Sequence, residues 1–443
     1  MQKILKIFQS KLFFLKNAYL SQEIDYSKFI KCAIWSVLGN GISRFIYIMA
    51  TIIVGRYLGR KSLGELGILQ STAGMFEVFA GFGLGITATK YVAEFRTKNK
   101  IKLGRIIGLV SFISIITSVV IAVILIIIAP WLGSSVLSAP HLTNLLKLTA
   151  AMLFLSTINS VQIGVLAGFE KFKIIAKINM ISGLISLPSI ILGVKWGRLS
   201  GALVGLIIYL ALNCSLSFVA VRKECKKNDV YIDYKYKRKE IWVIREFTIP
   251  AFLSSAIMGP VTWYCNAMLV KQPNGYAEMG MFNAANQWRY ILTYIPGVLS
   301  TPLIAIMSHS LGLEKVLPTL GLYLKTTLSY AALLSAAASV LSLLSPWLMS
   351  IYGHEFAAGW QVMVLLLGAA FLYGILMPAG NMIAALGKIW LGFLMNVGWS
   401  FVLILSCYFL VHLGAKGLAL SYLIAYLLHS AWIVIFIFCI LKD

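Results

Sequence analysis

Charge is scarce in this sequence: Asp, Glu, Lys and Arg make up only 12% of its 443 residues, about half their share in a soluble domain. Hydrophobic residues account for 60%, against roughly 45–50% in soluble proteins. That balance excludes a water-soluble fold, because no aqueous core absorbs so much apolar surface. The six cysteines (Cys32, Cys214, Cys225, Cys265, Cys407, Cys439) lie in apolar runs or a basic loop and never at CxxC spacing, so free thiols are expected rather than disulfides or a zinc site. The phosphate-cradling GxxxxGK(S/T), the zinc-binding HExxH and the GxSxG nucleophile elbow are all missing, and Gly81-Phe-Gly-Leu-Gly85 does not fit a dinucleotide loop. No metal or cofactor is expected, and the chain reads as something other than an enzyme.

What is present in abundance is long apolar runs. Ile106 to Ile128 contains no charged residue, and at 1.5 Å per residue it is long enough to cross about 30 Å of hydrocarbon. Runs of this kind predict twelve transmembrane helices near 29–54, 64–89, 106–130, 144–168, 174–194, 200–221, 242–270, 277–306, 319–345, 359–386, 389–412 and 417–440. With the N-terminus inside, 28 of the 38 Lys and Arg fall on the inner side, 8 on the outer side and two at mid-membrane. The positive-inside rule then puts both termini in the cytoplasm of a bacterial inner membrane. The formal charge of +23 follows from those inner loops rather than from a nucleic-acid-binding face, and the basic clusters at 96–105 and 222–239 act first as topology determinants.

The N-terminus alternates Lys3, Lys6, Lys11 and Lys16 with apolar pairs, which predicts a cationic amphipathic helix over 1–28 lying on the inner surface. It lacks the features of a cleavable secretory signal. The only long charged stretch in the middle of the chain, 222–240, divides the spans into an N-terminal bundle (29–221) and a C-terminal bundle (241–443). The halves echo each other at an offset of about 213 to 217 residues: Pro130-Trp131-Leu132 and Pro346-Trp347-Leu348, Lys171 and Lys388, Asn179 and Asn396, Gly201 and Gly417, Glu65-Leu-Gly67 and Glu278-Met-Gly280. Six spans is an even number, so the repeats insert in parallel, which places a substrate path between them near the midplane.

Three charged residues fall near mid-membrane: Arg44, Glu77 and Arg289. An arginine there costs about 2.5–3.5 kcal/mol on insertion scales, so it faces a wet cavity or a partner rather than lipid. Ser36, Asn40, Ser43, Arg44, Tyr47 and Thr51 share one face of the first span, and Asn283, Asn286, Gln287, Tyr290, Thr293 and Tyr294 form a polar arc on the eighth, with Arg289 on its flank. Pro296 and Pro302 follow and predict a kink. Two guanidinium forks, one from each half, make an anion site suited to phosphate or carboxylate, with Asn40, Tyr47, Asn286, Gln287 and Tyr290 as further substrate contacts. The competing expectation is that Arg44 merely neutralises Glu77. For Glu77, a packed helix seam with Gln70, Gly74, Gly81 and Gly85 competes with a role in ion coupling. His429 reads as a packed neutral residue, and Pro250, Pro260 and the 81–85 glycines as places where helices bend.

The segment Gly64-Glu-Leu-Gly-Ile-Leu-Gln70 through Gly81-Phe-Gly-Leu-Gly-Ile-Thr-Ala-Thr-Lys-Tyr-Val-Ala-Glu94 resembles the second helix of bacterial polysaccharide-export flippases, the O-antigen branch of the multidrug/oligosaccharidyl-lipid/polysaccharide superfamily. The resemblance implies an all-α, V-shaped pair of bundles working by alternating access. It also implies an undecaprenyl-diphosphate-linked oligosaccharide as cargo, carried with its headgroup in a cationic cavity, and arginines in the first and eighth spans, as Arg44 and Arg289 are. Lipid II flippases of the superfamily typically carry two further spans, which this sequence lacks. Membrane lipids and other polysaccharide assembly proteins are the expected partners. A cation-coupled multidrug exporter of the same fold and a membrane assembly subunit that transports nothing are the alternatives.

Overall fold

The computed structural model describes residues 26–234, 256–312 and 316–442, together with Thr248 and Phe252. Residues 1–25 of the expected amphipathic segment 1–28, the basic run 235–240 and Pro250 lie outside the described residues. Every described element is helical. The N-terminal half comprises α1 (26–58), α2 (60–81), α3 (Leu84–Phe95), α4 (Lys100–Trp131), α5 (Thr143–Gly168), α6 (172–197) and α7 (199–227). The C-terminal half comprises α8 (Met258–Val270), α9 (Gly275–Gly312), α10 (Val316–Leu343), the short α11 (Ser345–Ser350), α12 (Trp360–Ala385), α13 (Ile389–Leu410) and α14 (Ala415–Lys442). Counting α2–α3 as one crossing, these give the six-plus-six arrangement of twelve transmembrane spans.

The outer faces explain why these sequences fold as helices in lipid. On α4, Ile115, Ile116, Val119, Val120, Val123, Ile124, Ile126 and Ile127 are exposed, while Ser114 and Ser118 point into the protein. That is the inverse of a soluble helix, and it suits hydrocarbon as the solvent. The two buried hydroxyls return their protons to main-chain carbonyls three residues back, Ser114 to Ser111 at 2.8 Å and Ser118 to Ile115 at 2.9 Å, so no donor is left bare in an apolar medium.

The internal repeat is written in the backbone. Positive φ recurs at Gly59 (78°) and Asn274 (56°), Ser138 (53°) and Gly353 (134°), Glu170 (60°) and Gly387 (71°), and Arg198 (49°) and Gly414 (68°), each pair 215 to 217 residues apart. Lys171 and Lys388 precede α6 and α13 with nearly the same backbone angles, φ −91°, ψ 44° and φ −81°, ψ 48°. One break has no counterpart. Phe82 (φ 45°) and Gly83 (φ 71°) separate α2 from α3, whereas α9 runs unbroken from Gly275 to Gly312.

Several expectations are corrected here. The loops expected at 55–63 and 195–199 shrink to single-residue breaks at Gly59 and Arg198. The second span is not one helix over 64–89 but is broken at Phe82 and Gly83. Helix α9 continues through Pro296 and Pro302, and the break in the second span falls within 81–85, where the glycines were expected to let it bend.

The two halves meet as a V. At the end carrying Gly59 and α11, a single apolar core joins them, running from Ile48, Leu63 and Leu66 through Tyr352 and Phe356 to Leu418. At the end nearer the termini each half keeps its own core, Leu84, Tyr91, Leu103, Val165 and Val221 in one and Leu303, Met307, Tyr323, Met382 and Ile433 in the other. The glycines record the same taper. A Cβ on Gly64 would collide with the Tyr276 carbonyl, and one on Gly280 with the Arg60 carbonyl, so the α2 and α9 backbones touch there. Further along, positions Gly74, Gly81 and Gly297 would meet nothing within 4 Å. The expected face of Gly74, Gly81 and Gly85 is therefore not one packed seam: of the three only Gly85, on α3, packs tightly, against Ser160 of α5.

The closed end is also clamped by polar contacts. Arg56 donates from Nε to the Ile351 carbonyl at 2.8 Å, and Glu355 accepts the Arg60 backbone N–H at 2.8 Å, capping the helix that restarts after Gly59. Removing a cap costs about 1 kcal/mol. Glu355→Ala is therefore expected to loosen this end by that amount, measured as faster thiol labelling of a cysteine placed at Lys61.

Candidate substrate cavity between the halves

Below the clamp, the polar faces of four spans turn toward one another. Helix α1 contributes Arg44 and Tyr47, three residues apart; α2 contributes Gln70 and Ser71; α8 contributes Thr262 and Asn266; α9 contributes Asn283, Asn286, Gln287, Arg289 and Tyr290. Spacings of three, four and seven keep Arg44 with Tyr47, Thr262 with Asn266, and Asn283, Asn286, Gln287 and Tyr290 on one face of their helices, with Arg289 on the flank and Gln70 and Ser71 adjacent on α2. With Tyr422 of α14 they line a cavity of about 390 Å³. No carboxylate is among its described lining residues. Two hydrogen bonds tie α8 to α2 beside it, Asn266 Nδ2 to Ser71 Oγ and Trp263 Nε1 to Thr72 Oγ1, both 2.9 Å.

The two arginines are held differently. Arg44 donates from one terminal nitrogen to Gln287 Oε1 at 2.8 Å, with the Gln287 carbonyl at 3.5 Å, and its Nε–H is buried without an acceptor. Arg289 donates from Nε to Asn286 Oδ1 at 2.6 Å on its own helix, and the Tyr290 and Tyr426 hydroxyls close around it. The Tyr290 ring stands between the two, 4.7 Å from the Arg44 guanidinium carbon and 4.9 Å from that of Arg289. A ring face attracts cations, so Tyr290 lets two like charges share a low-dielectric space. Tyr47 lies beside Arg44 and donates to Gln70 Oε1 at 2.9 Å. Tyr422 lies 5.2 Å from Arg289.

A second cavity, about 360 Å³, opens on the other side of Arg44 and Tyr47, walled by the N-terminal half and by Tyr294 of α9. Its walls include Asn179, Ser186 and Tyr209 together with aliphatic Ile46, Ile190 and Leu206. Asn213 anchors that wall by donating to Asn179 Oδ1 at 3.0 Å. Asn213→Leu deletes this buried bond, which is expected to cost about 0.5–1.5 kcal/mol and to appear as a lower melting temperature of the purified protein.

The structure thus brings together Arg44, Arg289, Tyr47, Asn286, Gln287 and Tyr290. It does not bring Glu77 among them: that side chain lies near Ser156 of α5, and Arg44 pairs with Gln287 rather than with Glu77. Thr51, expected on the polar face, is buried and donates to the Ile48 carbonyl at 2.8 Å. The side chains of Asn40, Ser36 and Ser43 lie outside the described residues. Sequence reasoning missed Tyr422 and Tyr426, four residues apart at mid-span in α14, and Thr262 and Asn266 in α8. Tyrosines far from both interfacial belts of a span, where they usually sit, were the available signal.

Residues 29–307 match the polysaccharide biosynthesis protein family. The chain belongs to that family. Among relatives, it is 26% identical over 246 residues to the EPS I polysaccharide export inner membrane protein EpsE of Ralstonia nicotianae, which covers 52% of this chain and 55% of the relative. The chain spans about half the length of the curated relatives it matches. Among solved structures it resembles an inward-facing multidrug resistance MATE transporter of the MOP superfamily, with a TM-score of 0.75 at 15% identity over 92% of this chain and 99% of the other. It also resembles a MOP superfamily transporter of Pyrococcus furiosus, described as having a binding pocket of reverse polarity, with a TM-score of 0.71 at 16% identity over 94% of this chain and 96% of that one. This member of the polysaccharide biosynthesis family is therefore a multi-pass membrane protein with the MOP transporter fold.

Proposed function

We propose that the chain is a flippase that carries a prenyl-diphosphate-linked oligosaccharide, an O-antigen or other surface polysaccharide unit on undecaprenyl diphosphate, from the cytoplasmic to the outer leaflet of the bacterial inner membrane. The observation that carries this reading is that one arginine from each half reaches a single cavity whose described walls hold no carboxylate. Such a site favours a dianion and repels the organic cations of a drug exporter. Amide and hydroxyl groups around it, from Gln70, Ser71, Asn266, Asn283 and Asn286, suit sugar hydroxyls.

With both termini cytoplasmic, the open end of the V faces the cytoplasm and the Gly59 end closes the outer side. In this reading residues 29–221 and 241–443 are the moving bundles, and 222–240 is the linker. The described part of that linker lies along α4, with Asp233 donating its N–H to the Gly104 carbonyl at 3.3 Å. Other polysaccharide assembly proteins are the natural recipients of the flipped lipid.

The decisive experiment reconstitutes the protein in liposomes with a fluorescent prenyl-diphosphate oligosaccharide and follows its exposure to an external quencher. No acceleration over protein-free vesicles rejects the flippase. We further propose Glu77 as the coupling group, because it is the one carboxylate deep in the described spans and it stands apart from the two cavity arginines. Glu77→Gln is expected to remove any response of the flipping rate to an imposed proton gradient while leaving downhill flipping in place; an undiminished response rules the role out.

A further inference from the structure

The partners of Arg289 travel with it on the C-terminal half: Asn286, Tyr290, Tyr422 and Tyr426. Arg44 is the opposite case. Its acceptor, Gln287 Oε1 at 2.8 Å, belongs to the other half. Gln287 Nε2 leans on Asn283 Oδ1 at 3.4 Å, and Asn283 Nδ2 reaches back to the Leu63 carbonyl of the N-terminal half at 3.5 Å. The route Arg44, Gln287, Asn283, Leu63 therefore leaves one half, runs along α9 and returns, fastening α9 to both arms of the α1–α2 pair. It starts from a guanidinium with a buried, unpaired Nε–H beside the cavity.

We infer that the Gln287 carboxamide oxygen occupies the place of a cargo phosphate oxygen on Arg44, and that binding of the phosphate displaces it and so unfastens the halves. This rests on the proposed anion site. A neutral amide oxygen engages one edge of the fork. A phosphate engages the terminal nitrogen and Nε together, with charge assistance that roughly doubles the strength of each bond, so exchange runs toward the anion. Because the displaced bond spans the seam, anion binding and seam closure oppose one another, and the opposition is reciprocal. Gln287 is thereby a positioning residue that ties occupancy of the cavity to the geometry of the clamp, rather than a simple substrate contact.

The test uses the full chain in nanodiscs, inorganic diphosphate as the probe, and spin labels on cysteines placed at Lys61 and His354 to read the seam distance. Wild type is expected to bind diphosphate through Arg44 and to shift its distance distribution on binding. Gln287→Leu, which cannot accept a bond, is expected to bind diphosphate about tenfold more tightly and to show the shifted distribution already without it. Gln287→Glu, an internal anion that does not leave, is expected to bind at least tenfold more weakly and to keep the closed distribution at all diphosphate concentrations. Weaker binding by Gln287→Leu, or a distance response identical to wild type, overturns the displacement while leaving the anion site intact. Diphosphate binding that is absent, or equal in wild type and Arg44→Ala, overturns the anion site itself and the displacement with it. The glutamate variant decides the question independently should the leucine variant fail to fold.

Discussion

Replacing Arg44 and Arg289 together by alanine is expected to abolish flipping of a prenyl-diphosphate oligosaccharide while leaving a folded, monodisperse protein. A hydrogen bond to a charged group contributes about 1.5–3 kcal/mol, and about 1.4 kcal/mol is a factor of ten. Each single variant should therefore weaken diphosphate binding roughly ten- to a hundredfold. The double variant should lose less than the product, because both arginines meet one ligand across the Tyr290 ring and sites in contact do not add. Arg44→Lys should recover only part of the loss, since an ammonium lacks the planar fork. The measurement is diphosphate titration alongside quencher accessibility in liposomes, with size-exclusion profiles to check folding. Flipping at the wild-type rate by the folded double variant rejects the cavity as the substrate path.

A comparably large effect is expected at a position that touches no substrate. Gly64 and Gly280 let the α2 and α9 backbones meet at the clamped end, where a Cβ on either would collide with a carbonyl of the facing helix. Gly280→Leu forces the two helices apart. Overpacking of this kind typically costs about 1–3 kcal/mol, and the whole cost falls on the closed arrangement because the clash exists only there. The ratio of closed to open forms should drop by roughly 5- to 150-fold. That shift should be seen as labelling of a cysteine at Asn283 from the side that wild type keeps sealed. Gly321→Ala is the control: a Cβ there meets nothing within 4 Å, and alanine in a helix interior is favourable by about 0.5–1 kcal/mol. Equal labelling of Gly280→Leu and wild type means that the seam does not gate access.

Much of the architecture was legible in the sequence because membrane spans are long, apolar and bounded by charge. The repeat was legible because Lys171 and Lys388 stand at the same backbone turn, where a helix restarts after a left-handed residue. The turns at Gly59 and Arg198 were hidden by their neighbours: Arg56, Arg60, Lys61 and Lys195 read as loop residues, yet they ride on helices that resume after a single residue. The cavity was half visible. Arg44, Tyr47, Asn286, Gln287 and Tyr290 announce themselves by helical spacing and by the cost of burying them. Tyr422 and Tyr426 score as near-apolar and lie some 130 residues beyond Tyr290 in the chain, so only the fold brings them to Arg289. The Gln287 bond to Arg44 is likewise tertiary: 243 residues separate its partners, and no local pattern encodes it.

If the halves rock as proposed, the uneven treatment of the equivalent spans α2–α3 and α9 sets how each arm moves. The second half presents an unbroken helix of 38 residues, whereas the first is jointed at Phe82 and Gly83, where the Phe82 ring lies 4.4 Å from that of Phe252. A pivot at the Gly59 end would carry the unbroken helix with it, so its far tip would travel in proportion to its length. The jointed arm instead yields at its elbow, and its lower third is free to follow a different path. Widening and narrowing of the mouth is then a lopsided motion: one wall turns as a single helix, the other folds, and the Phe82–Phe252 stack is the bearing on which it folds.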